Sequence, residues 1–163
     1  MPKAMKVIML PAKPGERECG PCTLCCKVMR IPEMPDRLSN EYCPHAKKAK
    51  GCSIYRTRPQ SCRDFECAWL MYPNVFTDDM RPDKIHVMAR VEPLTDGSGR
   101  SALLLDVDIG WPKAYKENSR LVAIINRWQG PVFAMIGPDS RRALNQEALD
   151  GVKAGRFEMP TER

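Results

Sequence analysis

Eight cysteines are confined to the stretch from Cys19 to Cys67, and none lies elsewhere in the chain. They are Cys19, Cys22, Cys25, Cys26, Cys43, Cys52, Cys62 and Cys67. Cysteine thiolates are soft, charged donors for zinc or iron, and a tetrahedral site takes four of them. The competing use of so many thiols is a disulfide framework. The spacing opens as C-x2-C-x2-C-C, and Gly20-Pro21 suits a tight turn that presents two sulfurs to one centre. The adjacent Cys25-Cys26 pair adds a constraint, because neighbouring side chains diverge in helix and strand alike. The expectation is therefore two metal sites, or one polynuclear cluster with spare thiols. Zinc and an iron–sulfur cluster are not separated by this pattern. The opening is like a ferredoxin run, but Cys26 stands where the x3-C-P continuation would begin, and a zinc ribbon would carry a second clean C-x2-C. His45 is a candidate to replace one sulfur, although an isolated histidine beside a metal more often supports the ligands than joins them.

Compartment and charge weigh on the choice between ligation and disulfides. The chain of 163 residues has 43% apolar and 28% charged residues, a globular composition long enough for a real core. The run Val7-Ile8-Met9-Leu10 is too short for a secretory signal and is stopped by Pro11. No later run approaches the roughly 20 apolar residues of a membrane span. A cytoplasmic, reducing location without a membrane partner is the expectation, and there metal ligation is favoured over disulfides. The net charge of +6 suggests acidic partners. Lys47, Lys48, Lys50, Arg56, Arg58 and Arg63 are basic, but Glu33, Asp36, Glu41, Asp64 and Glu66 dilute them, so a nucleic-acid-binding zinc module is disfavoured. A protein partner is left open.

The ordered set Cys19-Gly-Pro-Cys22-Thr-Leu-Cys25-Cys26, Cys43-Pro44, Cys52-Ser-Ile-Tyr55-Arg-Thr-Arg58-Pro59, Cys62-Arg63-Asp64-Phe65 and Cys67 resembles the cysteine-cluster family of YkgJ type. The likeness covers about residues 18–70. It implies chelation of zinc or iron by the cysteines. Some members are labelled iron–sulfur oxidoreductases, which makes a redox protein the alternative function. The resemblance does not reach residues 74–163 and assigns no catalytic residue. Within the matched motif, Arg58 and Arg63 are candidates to offset thiolate charge; the plainer reading pairs Arg63 with a carboxylate and lets Pro59 start a helix.

The elements that must carry these residues follow from periodicity. Residues 1–17 read as a flexible leader with a short possible strand at Lys6–Leu10. Residues 18–73 read as an irregular cysteine-rich metal-binding module with short helices: one or two turns over Thr23–Met29, then a helix over Gln60–Met71. Residues 74–155 read as a small antiparallel sheet with helices. Lys84–Val91 and Ser101–Ile109 alternate as a hairpin around the turn residues 93–99. Ser119 is placed to cap a helix ending near Trp128, Val132–Ile136 pairs with Arg141–Leu144 across Gly137-Pro138-Asp139, and Asn145 caps a last helix. Residues 156–163 form a tail. The fold class is α+β. No hydrolytic constellation stands out. His86 is expected within a strand, Asp106 and Asp108 as solvent-facing aspartates, and Gly97-Ser98-Gly99 as a turn without the context of a phosphate loop. Cys19–Cys22 has thioredoxin-like spacing without a βαβ setting.

Overall fold

The prolines at 32, 35, 44, 59 and 73 interrupt the cysteine-bearing half, and its elements are correspondingly short. The computed structural model describes residues 7–13, 16–138 and 140–157. The first elements are α1 (Cys25–Val28), a small hairpin of β1 (Ala46–Lys47) and β2 (Gly51–Cys52), α2 (Gln60–Asp64) and α3 (Ala68–Met71). Then come α4 (Pro82–Ile85), β3 (Val87–Pro93), β4 (Ser101–Val107), α5 (Ser119–Arg127), β5 (Val132–Ile136), β6 (Ser140–Ala143) and α6 (Gln146–Lys153). The architecture is α+β, as the composition of elements predicts.

The larger sheet has the order β3-β4-β5-β6. β3 and β4 pair antiparallel with Val87 opposite Val107 and Pro93 opposite Ser101. β4 and β5 run parallel, with Leu103 opposite Val132, so the sheet is mixed and not purely antiparallel. The reason is α5: a helix between two neighbouring strands makes a crossover, which returns the chain in the same direction. β5 and β6 then close antiparallel across residues 137–139, of which Asp139 lies outside the described residues.

Alternation along β4 divides the packing. Leu103, Leu105 and Val107 are fully buried in the main core with Leu121, Ile124 and Ile125 of α5, and with Val28, Ala68 and Trp69 from the cysteine half. Ala102 and Leu104 face the other side, where they pack with Phe133 of β5 and with Ala148 of α6. Asn118, and not Ser119, caps α5 by accepting the Leu121 N–H at 2.9 Å. Asn145 caps α6 as expected, accepting from Ala148 N at 3.0 Å.

Several local expectations change. Residues 60–71 form two helices, because Phe65 and Cys67 are extended between them. His86 precedes β3 with a left-handed φ of 56° instead of lying within the strand. Ile109 falls beyond β4 and is 51% exposed, outside the core. Asp106 and Asp108 are not solvent-facing: Arg90 pairs with Asp106 at 2.6 Å, and Lys27 pairs with the buried Asp108 at 2.6 Å. Residues 7–13 form no strand and are not a loose tail. Leu10 N donates to Asn74 Oδ1 at 3.1 Å, Ala12 N donates to Met71 O at 2.7 Å, and Val7 and Met9 pack on the core. Lys6, Pro14 and Gly15 lie outside the described residues. Arg17 secures this segment by donating to the carbonyls of Trp69 and Phe76 while lying over the Trp69 ring at 4.4 Å.

Candidate metal centre

Each sulfur is positioned by a short backbone device. Cys22 N donates to Cys19 O at 3.0 Å, which closes the first turn around Gly20, whose φ is +53°. Gly51 lies against that turn so closely that a Cβ there would sit 2.3 Å from Gly20 O. Only glycine permits this approach, so the β1–β2 hairpin docks on the Cys19–Cys22 turn. Cys25 and Cys26 lie on α1. Cys43 N donates to Cys26 O at 2.8 Å, and Ala46 N donates to Cys43 O at 2.9 Å. Cys52 pairs with Ala46 across the hairpin. Glu33 holds the first turn of α2, which carries Cys62, by accepting the Ser61 N–H at 2.9 Å and the Ser61 hydroxyl. Cys67 stands at the head of α3, where its carbonyl accepts from Leu70 N and Met71 N.

All eight cysteines line one cavity of about 380 Å³, together with apolar groups such as Met29, Ile31, Phe65 and Met88. All eight are free thiols, so the disulfide framework is not formed. Among the described residues, no three Cys, His, Asp or Glu side chains are arranged so that together they could hold a metal ion. The sulfurs thus share one cavity without closing into a finished site. Their number, softness and common cavity fit zinc or an iron–sulfur cluster; their present spacing is open.

The thiols differ in how readily they ionise. Burial pushes the Cys22 thiol up to about 12 and the Cys67 thiol up to about 11. It also raises Cys19, against Arg58 and the Tyr55 hydroxyl, and raises Cys62. Low-polarity surroundings disfavour the charged thiolate. Cys26 departs in the other direction. A hydrogen bond from the Cys25 thiol, helped by Arg37 and Arg58, brings it down to about 7. The same bond, with burial, holds Cys25 well above the ordinary thiol value. The two neighbouring thiols thus shift in opposite directions.

His45, Tyr55, Arg58, Pro59 and Asp64 join the cavity wall, whereas Arg63 does not. Arg58 lies over the Tyr55 ring at 3.8 Å and donates to Cys62 O at 3.2 Å. Sequence spacing did not signal Arg37. It is buried, and its guanidinium donates to the carbonyls of Cys26, Lys27 and Met29 at the end of α1, and to those of Leu38 and Glu41. Nor did it signal that Lys27, between Cys26 and Val28, is tied to Asp108 after β4. No local pattern could have revealed either, since both act on groups far away in sequence or on bare carbonyls.

Among the described residues, no helix is long and apolar enough to cross a membrane. Comparisons with protein-family models, curated proteins and solved structures found no match.

Proposed function

We propose that this chain is a metal-binding protein that chelates zinc or an iron–sulfur centre through its clustered cysteine thiolates. One observation carries the reading: eight free thiols from six separate short segments converge on a single cavity. A protein that merely tolerated its cysteines would scatter them through core and surface. The resemblance to the YkgJ-type cluster family supports the same chemistry. Reaching a closed site requires loss of thiol protons and contraction of the wall, so binding is coupled to proton release and to folding. Arg58 and Arg37 supply positive charge against the sulfurs that ionise. A reducing, cytoplasmic setting belongs to this reading.

An iron–sulfur redox protein is the variant favoured by the apolar lining and the cavity size, both larger than one ion requires. A cluster there would supply one-electron chemistry, its potential set by burial and by nearby donors. The test is purification without air followed by metal and sulfide analysis and a visible spectrum. Brown protein with iron and acid-labile sulfide identifies the cluster. Colourless protein with bound zinc identifies the chelate. Protein without stoichiometric metal, even after reconstitution with either, would refute the proposal.

A further inference from the structure

A second cavity, of about 570 Å³, shares no lining residue with the cysteine cavity. Its floor is the face of the large sheet that carries Ala102 and Leu104 of β4 and Phe133 and Met135 of β5. α6 packs on part of that face through Ala148, and the remainder forms a groove between Leu94, just after β3, and Phe157, beyond α6. Both walls are fastened. Gly155, with a φ of +64°, turns the chain back after α6, and Arg156 N donates to Gly151 O at 2.9 Å. Phe157 then seats on Gly151 so closely that a Cβ there would lie 1.9 Å from its ring. It also meets Phe133 edge-on, with 5.7 Å between ring centroids. Across the groove Arg100 joins the β3–β4 turn to α6: it donates to Glu147 Oε1 at 2.7 Å and lies 3.8 Å from Asp96 Oδ2. A preformed concavity of this size, apolar with a few polar groups at its edge, is the usual form of a small-molecule site.

The charges on the rim select the ligand. Glu92 is paired with Arg90 at 2.6 Å, and Asp96 and Glu147 share Arg100. Arg156 is exposed at the mouth, and among the described residues no carboxylate pairs with its guanidinium. The uncommitted charge is thus a cation beside an apolar floor. We propose that this groove binds a small amphipathic acid, a monocarboxylate with an aliphatic tail of medium length. The tail lies on Leu104, Phe133, Met135 and Phe157, where removing methylene groups from water drives binding. Arg156 donates two parallel N–H bonds to the carboxylate. One guanidinium balances one unit of charge, so a monocarboxylate fits better than a doubly charged phosphate. A neutral head gains nothing from Arg156, and a cationic head is repelled by it. The site is independent of metal binding by the cysteines.

The experiment uses the full chain under reducing conditions and decanoate as the probe. Decanol and decyltrimethylammonium, with the same tail, are the neutral and cationic controls. Isothermal titration calorimetry reads affinity, and NMR of labelled methionine methyl groups reads location. The expected result is saturable one-to-one binding of decanoate with a shift at Met135, weaker for both controls by on the order of tenfold or more. Arg156→Glu should weaken decanoate by a similar factor and leave decanol unchanged. Met135→Trp, which fills the groove, should abolish decanoate binding with circular dichroism kept. Equal affinity for the three probes would show that only the tail partitions, and would overturn the proposal. So would the absence of saturable decanoate binding, or an unchanged decanoate affinity in folded Arg156→Glu. If sedimentation shows a dimer that Met135→Trp converts to monomer, the groove is occupied by a second copy and the proposal also fails.

Discussion

Residues 18–73 and residues 74–155 become ordered by different means. In the second region β3 and β4 run side by side from Val87 to Pro93, and β5 adds five further paired positions. Leu103, Leu105, Leu121 and Val132 fill the space beneath with no exposure at all. Backbone ladders and apolar burial suffice there. In the first region the helices are four or five residues long, and none has a side-chain cap from its own N-cap residue. Elements so short are not stable alone. They are held by burial of Leu24, Val28, Ala68 and Trp69 in the core shared with the sheet, and by charged side chains reaching backbone groups, namely Arg37, Glu33 and Arg58, around a cavity walled by thiols. The difference says where dependence on the proposed metal should lie: on that proposal the sheet region should stand without it, and the cysteine region should loosen.

Metal removal should break the comparison most visibly. Structural zinc in small domains contributes apparent binding free energy on the order of 10 kcal/mol. Stripping the metal from reduced protein should raise amide exchange across residues 18–73 by orders of magnitude, while β3–β5 stay protected. Equal loss in both regions would show that they form one cooperative unit. Cys22→Ser should lower metal content and destabilise the first 70 residues; unchanged metal by elemental analysis would count against its role.

Next in size is the tie between the regions. Lys27→Ala leaves the Asp108 carboxylate buried without its cation, and breaking such a pair from one side costs about 3–5 kcal/mol. Chemical denaturation should show that loss, with a metal affinity reduced because α1 is released. Arg37→Ala should cost about 2–3 kcal/mol through the carbonyls it abandons, and Arg37→Lys should recover little, since one ammonium cannot reach so many acceptors. By contrast Asn145→Ala, at the cap of α6, should cost about 1 kcal/mol and leave metal binding untouched.

The smallest effect separates sulfurs within the cavity. In the metal-free reduced protein, the Cys26 thiol is brought down to about 7, so its thiolate fraction rises as pH passes upward through that value. Alkylation mapped by mass spectrometry should therefore mark Cys26 first, with a rate falling about tenfold per pH unit below 7. Cys22 and Cys67, pushed up by burial, should react slowly throughout. Uniform labelling would show that the neighbouring thiol and arginines have no such influence.

The two regions also differed in how much of them could be read from residues alone. The strand expected over Ser101–Ile109 appears as β4, ending two residues sooner at Val107, and the Asn145 cap appears where expected, because both are local signals. The direction of β5 was not legible, because it depends on α5 acting as a crossover and not on any property of Val132–Ile136. The break at residues 65–67 was hidden for a similar reason. Phe65 and Trp69 keep helical spacing, yet Cys67 is turned toward the cavity by an extended backbone that periodicity cannot see. The cysteines themselves were legible as a set, since their spacing is their chemistry. Their common cavity was not, because it is assembled by Gly51 against Gly20 and by the carbonyls around Arg37.

The most direct measurement of the central claim is X-ray absorption at the metal edge of the loaded, reduced protein. The account predicts a first shell of sulfur alone, at about 2.3 Å if the metal is zinc, that loses intensity in cysteine-to-serine variants. A first shell dominated by nitrogen or oxygen, or one unchanged when the cysteines are replaced, would contradict it.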